Sequence, residues 1–212
     1  MEIMKVSDDK AATYAAANID AGSVVIYPTD TLYGLGVDAL SDSAVAHIYH
    51  VKGRDEGKPI HAIVSDMQMA ARYAHINDHA RLLAEKFLPG PLTLVLKKKD
   101  GIETGIAKGI DTFAIRIPDN SFCRELVEQF GGPITTTSAN RAGMMPMTNI
   151  SDIVEQLGEN AQAVVLAIDA GELPKRPPST VVDCSQDHPV ILREGAIPAA
   201  DIWNTLGFEF NE

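Results

Sequence analysis

Apolar residues along this chain follow two rhythms. Short runs, continuous or alternating, have the length and β-branched content of strands: SVVIYP, IHAIVS, LTLVLKK, TFAIRIP, AVVLAID, STVVDCS and PVILRE. Between them lie stretches with helical spacing and helical punctuation. DDKAATYAAANIDAG is acidic at its start, alanine-rich, and stopped by Gly22. SDSAVAHIYHVKGR opens on Ser41 as an N-cap and should end near Gly53, which puts Lys52 in its last turn and Arg54 just beyond. DMQMAARYA, NDHARLLAEKFL (closed by Pro89 to Pro91), NSFCRELVEQFGG, SDIVEQLG and PAADIWNTLG read as further helices, and PITTTSAN as a strand running into a polar loop.

This intermixing favours α/β or α+β with a mixed sheet. Strict βαβ alternation breaks twice, at the adjacent pair LTLVLKK and TFAIRIP and at the final pair STVVDCS and PVILRE. The nearest thing to a linker, GELPKRPPS, is too short to separate domains, so one domain over residues 1–212 is expected.

Composition narrows the function classes. The chain is 45% hydrophobic and 22% charged, enough apolar residue for a substantial core and too little charge for disorder. Its net charge of −11 argues against an extended nucleic-acid footprint, though not against a local basic pocket. Cys123 and Cys184 form no CxxC, which suits a reduced, cytoplasmic chain. No apolar run reaches membrane-span length, and MEIMKVSDDK lacks the apolar region of a signal peptide.

The stretch YPTDTLYGLG, Tyr27 to Gly36, leaves a buried strand and at once presents hydroxyls and glycines. A plain turn needs fewer such residues, so a ligand loop is expected, with the glycines letting backbone approach the ligand. Five other polar segments also sit at strand or helix ends, where an α/β sheet opens a crevice. KGRDEGKP supplies Lys52, Arg54 and Lys58, cations suited to a polyphosphate. TTTSAN packs four hydroxyls and an amide into six residues. Arg116 interrupts TFAIRIP; there it either faces solvent or offers a fork to a carboxylate. Ser179 and Thr180 begin STVVD, and Arg193 ends PVILR. Tyr27 and Tyr33 serve as packing or as aromatic walls. There is no P-loop, GxGxxG, GxSxG or HExxH, and His47/His50 with His75/His79 make a poor zinc set. From the residues alone, this is an α/β protein with a cationic, hydroxyl-rich crevice for a nucleotide or another small anion.

Together the segments resemble the YrdC-like threonylcarbamoyl-AMP synthase family. PTDTLYGLG resembles its PT-[ED]-T-x-YGLG motif, KGR its K-x-R, TTTSANRAG its SAN-x-x-G, STVVD its ST-[VI]-[VI]-D and ILREG its LR-x-G, in order from about residue 10 to 200. The resemblance implies a twisted open mixed sheet with flanking helices, in the short single-domain form. It implies that L-threonine, bicarbonate (or CO2) and ATP give threonylcarbamoyl-adenylate and pyrophosphate, for the threonylcarbamoyl modification of tRNA. By the same resemblance Lys52 and Arg54 would hold the phosphates and act catalytically. Ser138, Asn140 and Arg193 would contact ATP, and Thr31, Arg116 and Ser179 would hold threonine. Mg2+ is expected with ATP, with no ligand set identifiable. Transient docking to the tRNA-modifying transferase and weak RNA binding are further expected partners. Many relatives carry a histidine at the place of Ile63; here His61 stands two residues earlier, on the same strand face at a different depth. Two other readings stay open: an enzyme making a different carbamoyl-adenylate, and an RNA-binding module without turnover.

Overall fold

The computed structural model describes residues 1–54 and 59–208. Lys58 lies outside the described residues. The strands are β1 (Glu2–Lys5), β2 (Val24–Pro28), β3 (Tyr33–Gly36), β4 (His61–Ile63), β5 (Leu92–Lys97), β6 (Thr112–Arg116), β7 (Ile134–Ser138), β8 (Val164–Asp169), β9 (Thr180–Asp183) and β10 (Val190–Arg193). The helices are α1 (Ala11–Asp20), α2 (Asp42–Lys52), α3 (Met67–Tyr73), α4 (Asp78–Phe87), α5 (Ser121–Phe130), α6 (Ile150–Leu157) and α7 (Ala199–Thr205).

The strands form one open mixed sheet in the order β1-β8-β2-β3-β7-β4-β6-β5-β9-β10. Parallel pairing joins β1 and β2 to β8, β4 to β6, and β5 to β9. The two expected breaks in βαβ order are antiparallel hairpins, β5–β6 and β9–β10. The α/β class therefore stands, with α1 packed on β2, β8 and α5, and α4 on β5 and α7. Cys123 and Cys184 are both buried and unpaired.

Local chemistry explains the element ends. Ser41 Oγ accepts from Ala44 N at 3.3 Å and caps α2. Gly53 then takes the left-handed conformation at φ 55° and turns the chain out of the helix. Asp66, Asn77, Asn120 and Asn149 cap α3, α4, α5 and α6 in the same way as Ser41.

Two strands depart from the sequence-based expectation. β1 was not anticipated; its residues are mostly exposed, and it is held through backbone pairing to β8. The stretch expected to be a ligand loop is a tight hairpin. Pro28 faces Tyr33 across it, and Thr29 N donates to Leu32 O at 3.1 Å. The Thr29 hydroxyl accepts from Thr31 N and Leu32 N, both at 3.1 Å, leaving Asp30 and Thr31 at the tip.

Packing requires the glycines of this hairpin, and Gly34 also lines a cavity. Tyr27 is fully buried, with its hydroxyl on Thr135 O at 2.9 Å. A Cβ on Gly36 would lie 2.6 Å from the Tyr27 ring, and one on Gly34 would lie 2.9 Å from Thr136 Oγ1. Tyr33 is also buried; its hydroxyl donates to Gly171 O and accepts from Ala170 N, tying β3 to the end of β8.

Gly36→Ala should lower stability by about 1–3 kcal/mol, the usual range for overpacking a filled core. Urea unfolding checks this: the midpoint should fall with the slope unchanged. An unaltered midpoint would mean that the Tyr27 ring gives way freely.

Candidate active site

The side chains singled out in the sequence converge because of strand register. In the sheet centre His61 pairs with Thr136, Ile63 with both Ile134 and Arg116, and Gly34 with Ser138. Directly paired residues share a face, so one side of β3, β7, β4 and β6 presents hydroxyls, an imidazole and a guanidinium together. A cavity of about 1000 Å3 opens over this face. Its wall includes Thr31, Lys52, Arg54 and Arg116, and also Ser138, Asn140, Ser179 and Arg193.

One end of the cavity is built around Arg116, which is 3% exposed. This arginine does not face solvent. Its Nε donates to Gly90 O at 3.2 Å, one terminal nitrogen to Thr31 Oγ1 at 2.9 Å and the other to Asp30 Oδ1 at 2.6 Å. The fork therefore already holds a carboxylate, in a nearly buried ion pair with the hairpin tip. Asp30 was not singled out in the sequence; its place beside a buried guanidinium comes only from the β2–β3 turn.

Arg193 approaches from β10. Its guanidinium donates twice to Ser179 O, at 3.2 and 2.8 Å, and to Ser179 Oγ at 3.3 Å. Burial, then repulsion from Arg116, pulls its pKa below the usual arginine value. Ser179 Oγ also lies 2.9 Å from Thr93 Oγ1. Thr180 is turned away: its hydroxyl donates to Ile197 O and accepts from Gly195 N and Ile197 N, holding the turn after β10.

The other end is a closed polar network. Lys52 Nζ donates to Ser138 O, to Asn140 O at 3.0 Å and to Asn140 Oδ1 at 3.1 Å. An ammonium has three protons, and all three are used here. Asn140 Oδ1 also accepts from Ser138 Oγ, while its amide nitrogen donates to Arg141 O at 3.0 Å and Met144 O at 2.6 Å. Burial first, then the neighbouring Arg54, lowers the Lys52 pKa to about 8. Lys52 thus acts directly on the segment after β7. Arg54 differs: its Nε is buried and finds no hydrogen-bond partner among the described residues, and one terminal nitrogen reaches Pro59 O at 3.4 Å.

Three further groups line the cavity. His61 does so, whereas Ile63 is fully buried beneath it. Met144, Met145 and Met147 form an apolar rim, with Met145 80% exposed. Lys175 and Arg176 come from the segment that resembled a linker, and Arg176 donates to Asp30 O at 2.9 Å.

Lys52→Met should loosen the segment after β7, because Ser138 O, Asn140 O and Asn140 Oδ1 each lose a donor. Hydrogen exchange should speed up at amides within 139–148 in the otherwise folded protein. Unchanged protection there would separate Lys52 from the order of that segment.

Comparison with known proteins follows this geometry. The family model named Sua5/YciO/YrdC, described as telomere recombination, matches residues 17–195. A Methanocaldococcus jannaschii relative is 39% identical over 197 residues, covering 93% of this chain and 91% of its own length. The threonylcarbamoyl-AMP synthase of Pyrococcus abyssi is 37% identical over 195 residues, covering 91% of this chain and 56% of the relative. The crystal structure of P. abyssi Sua5 complexed with L-threonine superposes with a TM-score of 0.90 at 34% identity, covering 98% of this chain and 61% of that one. The chain therefore spans little more than half the length of the Pyrococcus protein.

Proposed function

Because this chain belongs to the Sua5/YciO/YrdC family, we propose that it is an L-threonylcarbamoyladenylate synthase. This nucleotidyltransferase would join L-threonine, carbon dioxide drawn from bicarbonate, and the AMP portion of ATP, and release pyrophosphate. One observation carries the reading: a single cavity holds a carboxylate-bearing guanidinium fork at one end and an unsatisfied arginine beside a buried ammonium at the other. That spacing of charges suits an amino acid facing a nucleotide. The bound L-threonine in the Pyrococcus structure supports the same assignment.

In this reading Arg116 and Thr31 receive the threonine carboxylate, which shares or takes over the place of Asp30, and Ser179 hydrogen-bonds the amino acid. Arg54 and Arg193 reach the phosphates. Lys52 contributes charge and holds Ser138 and Asn140 in the arrangement that meets the α-phosphate. No protein side chain becomes covalently attached: the threonine amine attacks CO2, and the carbamate oxygen then attacks the α-phosphorus as pyrophosphate leaves. Catalysis is positioning plus neutralisation of developing charge.

Mg2+ enters as part of the metal–nucleotide substrate. The residues present do not fit a resident metal, since no group of three or more His, Cys, Asp and Glu side chains converges among the described residues. No described helix is long and apolar enough to cross a membrane. We place the enzyme in the cytoplasm, handing its adenylate to the tRNA-modifying transferase by diffusion or brief docking, with RNA binding weak at most.

Purified protein should release pyrophosphate from Mg2+-ATP only when both threonine and bicarbonate are present, and with no tRNA added. Release independent of threonine would point to another carbamoyl acceptor; a strict need for tRNA would overturn the small-molecule reading.

Arg116→Lys keeps the charge and loses the planar fork. The KM for threonine should rise at least tenfold, about 1.4 kcal/mol, while the KM for ATP moves far less. Separate titrations check this, and a change confined to ATP would mean that the two half-sites are reversed.

A further inference from the structure

The cavity contains one side chain to which the proposed chemistry has given no task. His61 opens β4, lies in register with Thr136 and lines the cavity. Ile63, two residues on and on the same face, pairs directly with Arg116. Two residues along a strand span about 7 Å, so the imidazole stands near the guanidinium fork without being part of it. Among the described residues it makes no hydrogen bond, although its ring carries both a donor and an acceptor. The charged groups that bear on it are Arg116 from β6 and Arg193 from β10, while β7 opposes it with the neutral Thr136.

Among the described residues, the other titratable acceptors around the cavity are exposed or already take part in hydrogen bonds or an ion pair. Asp30 is paired with Arg116. Asp152 and Glu172 sit exposed at the mouth, accepting from Asn149 Nδ2 and Thr148 Oγ1. Lys52 is an ammonium with all its protons in use. The carbamate step nevertheless needs an acceptor. Once the threonine ammonium has given one proton to solvent, its amine nitrogen bonds to the carbon of CO2, one C–O π bond opens onto oxygen and the nitrogen becomes positively charged. One N–H proton must then leave to give the neutral-nitrogen carbamate.

We propose that His61 takes this proton, and that it becomes a stronger base when the phosphates of the nucleotide cover Arg193. The inference rests on the synthase reading above. The unshared pair on the imidazole accepts the proton, giving carbamate and imidazolium. The carbamate oxygen attacks the α-phosphorus, the bond to pyrophosphate breaks, and the imidazolium returns its proton to solvent as products leave. In the empty cavity, burial followed by Arg116 and Arg193 holds the imidazole at about 3, so it is a weak base there. Phosphates on Arg193 offset one of the charges that suppress it, whereas Arg116 already has Asp30 as its counter-ion. The nucleotide thus strengthens the base that the carbamate step requires.

The test is an NMR titration of the protein labelled with 15N-histidine, with the His61 signal assigned by its loss in His61→Gln. The titration is run on free protein and again with L-threonine plus a non-hydrolysable ATP analogue and Mg2+. The imidazole of His61 should titrate far below the ordinary histidine range when free, and at least one pH unit higher with both ligands bound. In parallel, His61→Gln and His61→Asn should lower kcat at least tenfold near neutral pH, leave the KM for ATP within about twofold, and lose the acidic limb of the kcat profile. Turnover in the wild-type protein combined with an imidazole that ignores the ligands, or with a variant profile parallel to wild type, overturns the proposal and leaves the synthase reading standing. A wild-type protein with no turnover from ATP, threonine and bicarbonate overturns both.

Discussion

A buried ammonium joins the two parts of the chain that build one end of the cavity. Lys52 leaves the last turn of α2 and is 3% exposed, yet its Nζ reaches oxygens of Ser138 and Asn140 more than eighty positions away. Burying such a group unpaired would cost several kcal/mol, so the contact survives only because each proton has an acceptor. Much follows from it. The Asn140 amide is free to bridge to Met144 O, which shapes the methionine rim. Gly53, in the left-handed conformation, turns the chain so that Arg54 comes back onto the same wall. The helix end and the strand end are thus one unit, and either would lose its arrangement without the other.

At the opposite end a second buried charge is managed differently. Arg116 keeps Asp30 as its counter-ion, and the pair lies in the protein with side chains only 4% and 7% exposed. Removing one partner of such a pair typically costs several kcal/mol, so the guanidinium is held charged and aimed before any ligand arrives. The fork is therefore preformed, with a carboxylate already in it. Arg176 donates to the Asp30 backbone oxygen and ties the hairpin tip to the segment before β9.

The molecule is acidic overall, at −11, while its cavity gathers Arg54, Arg116, Arg193, Lys175 and Arg176. Local cations inside a negative surface favour small anions that fit the cavity and disfavour a long polyanion lying across it. The charge distribution thus selects for substrate size as well as substrate sign.

Strand and helix rhythm along the chain determined the α/β class, both antiparallel interruptions, the Ser41 cap and the Gly53 stop, because each is a local property of a few neighbouring residues. The clustering of hydroxyls and cations at element ends likewise marked Lys52, Arg116, Ser138 and Ser179 before any contact was known. What sequence could not carry were relations set by pairing and packing. β1 has a mostly exposed, unpatterned side-chain set and is a strand only because β8 offers its backbone edge. YGLG reads as a loop, yet it is β3, because β2 and β7 pair with it on either side, and its glycines make room for the Tyr27 ring and Thr136. Ile63 and His61 share a face and look equivalent in sequence, and only the depth of the sheet makes one core and the other cavity wall. Period and propensity are local and legible, whereas register, burial depth and the partner of a buried charge belong to residues far apart in the chain, and tertiary structure alone decides them.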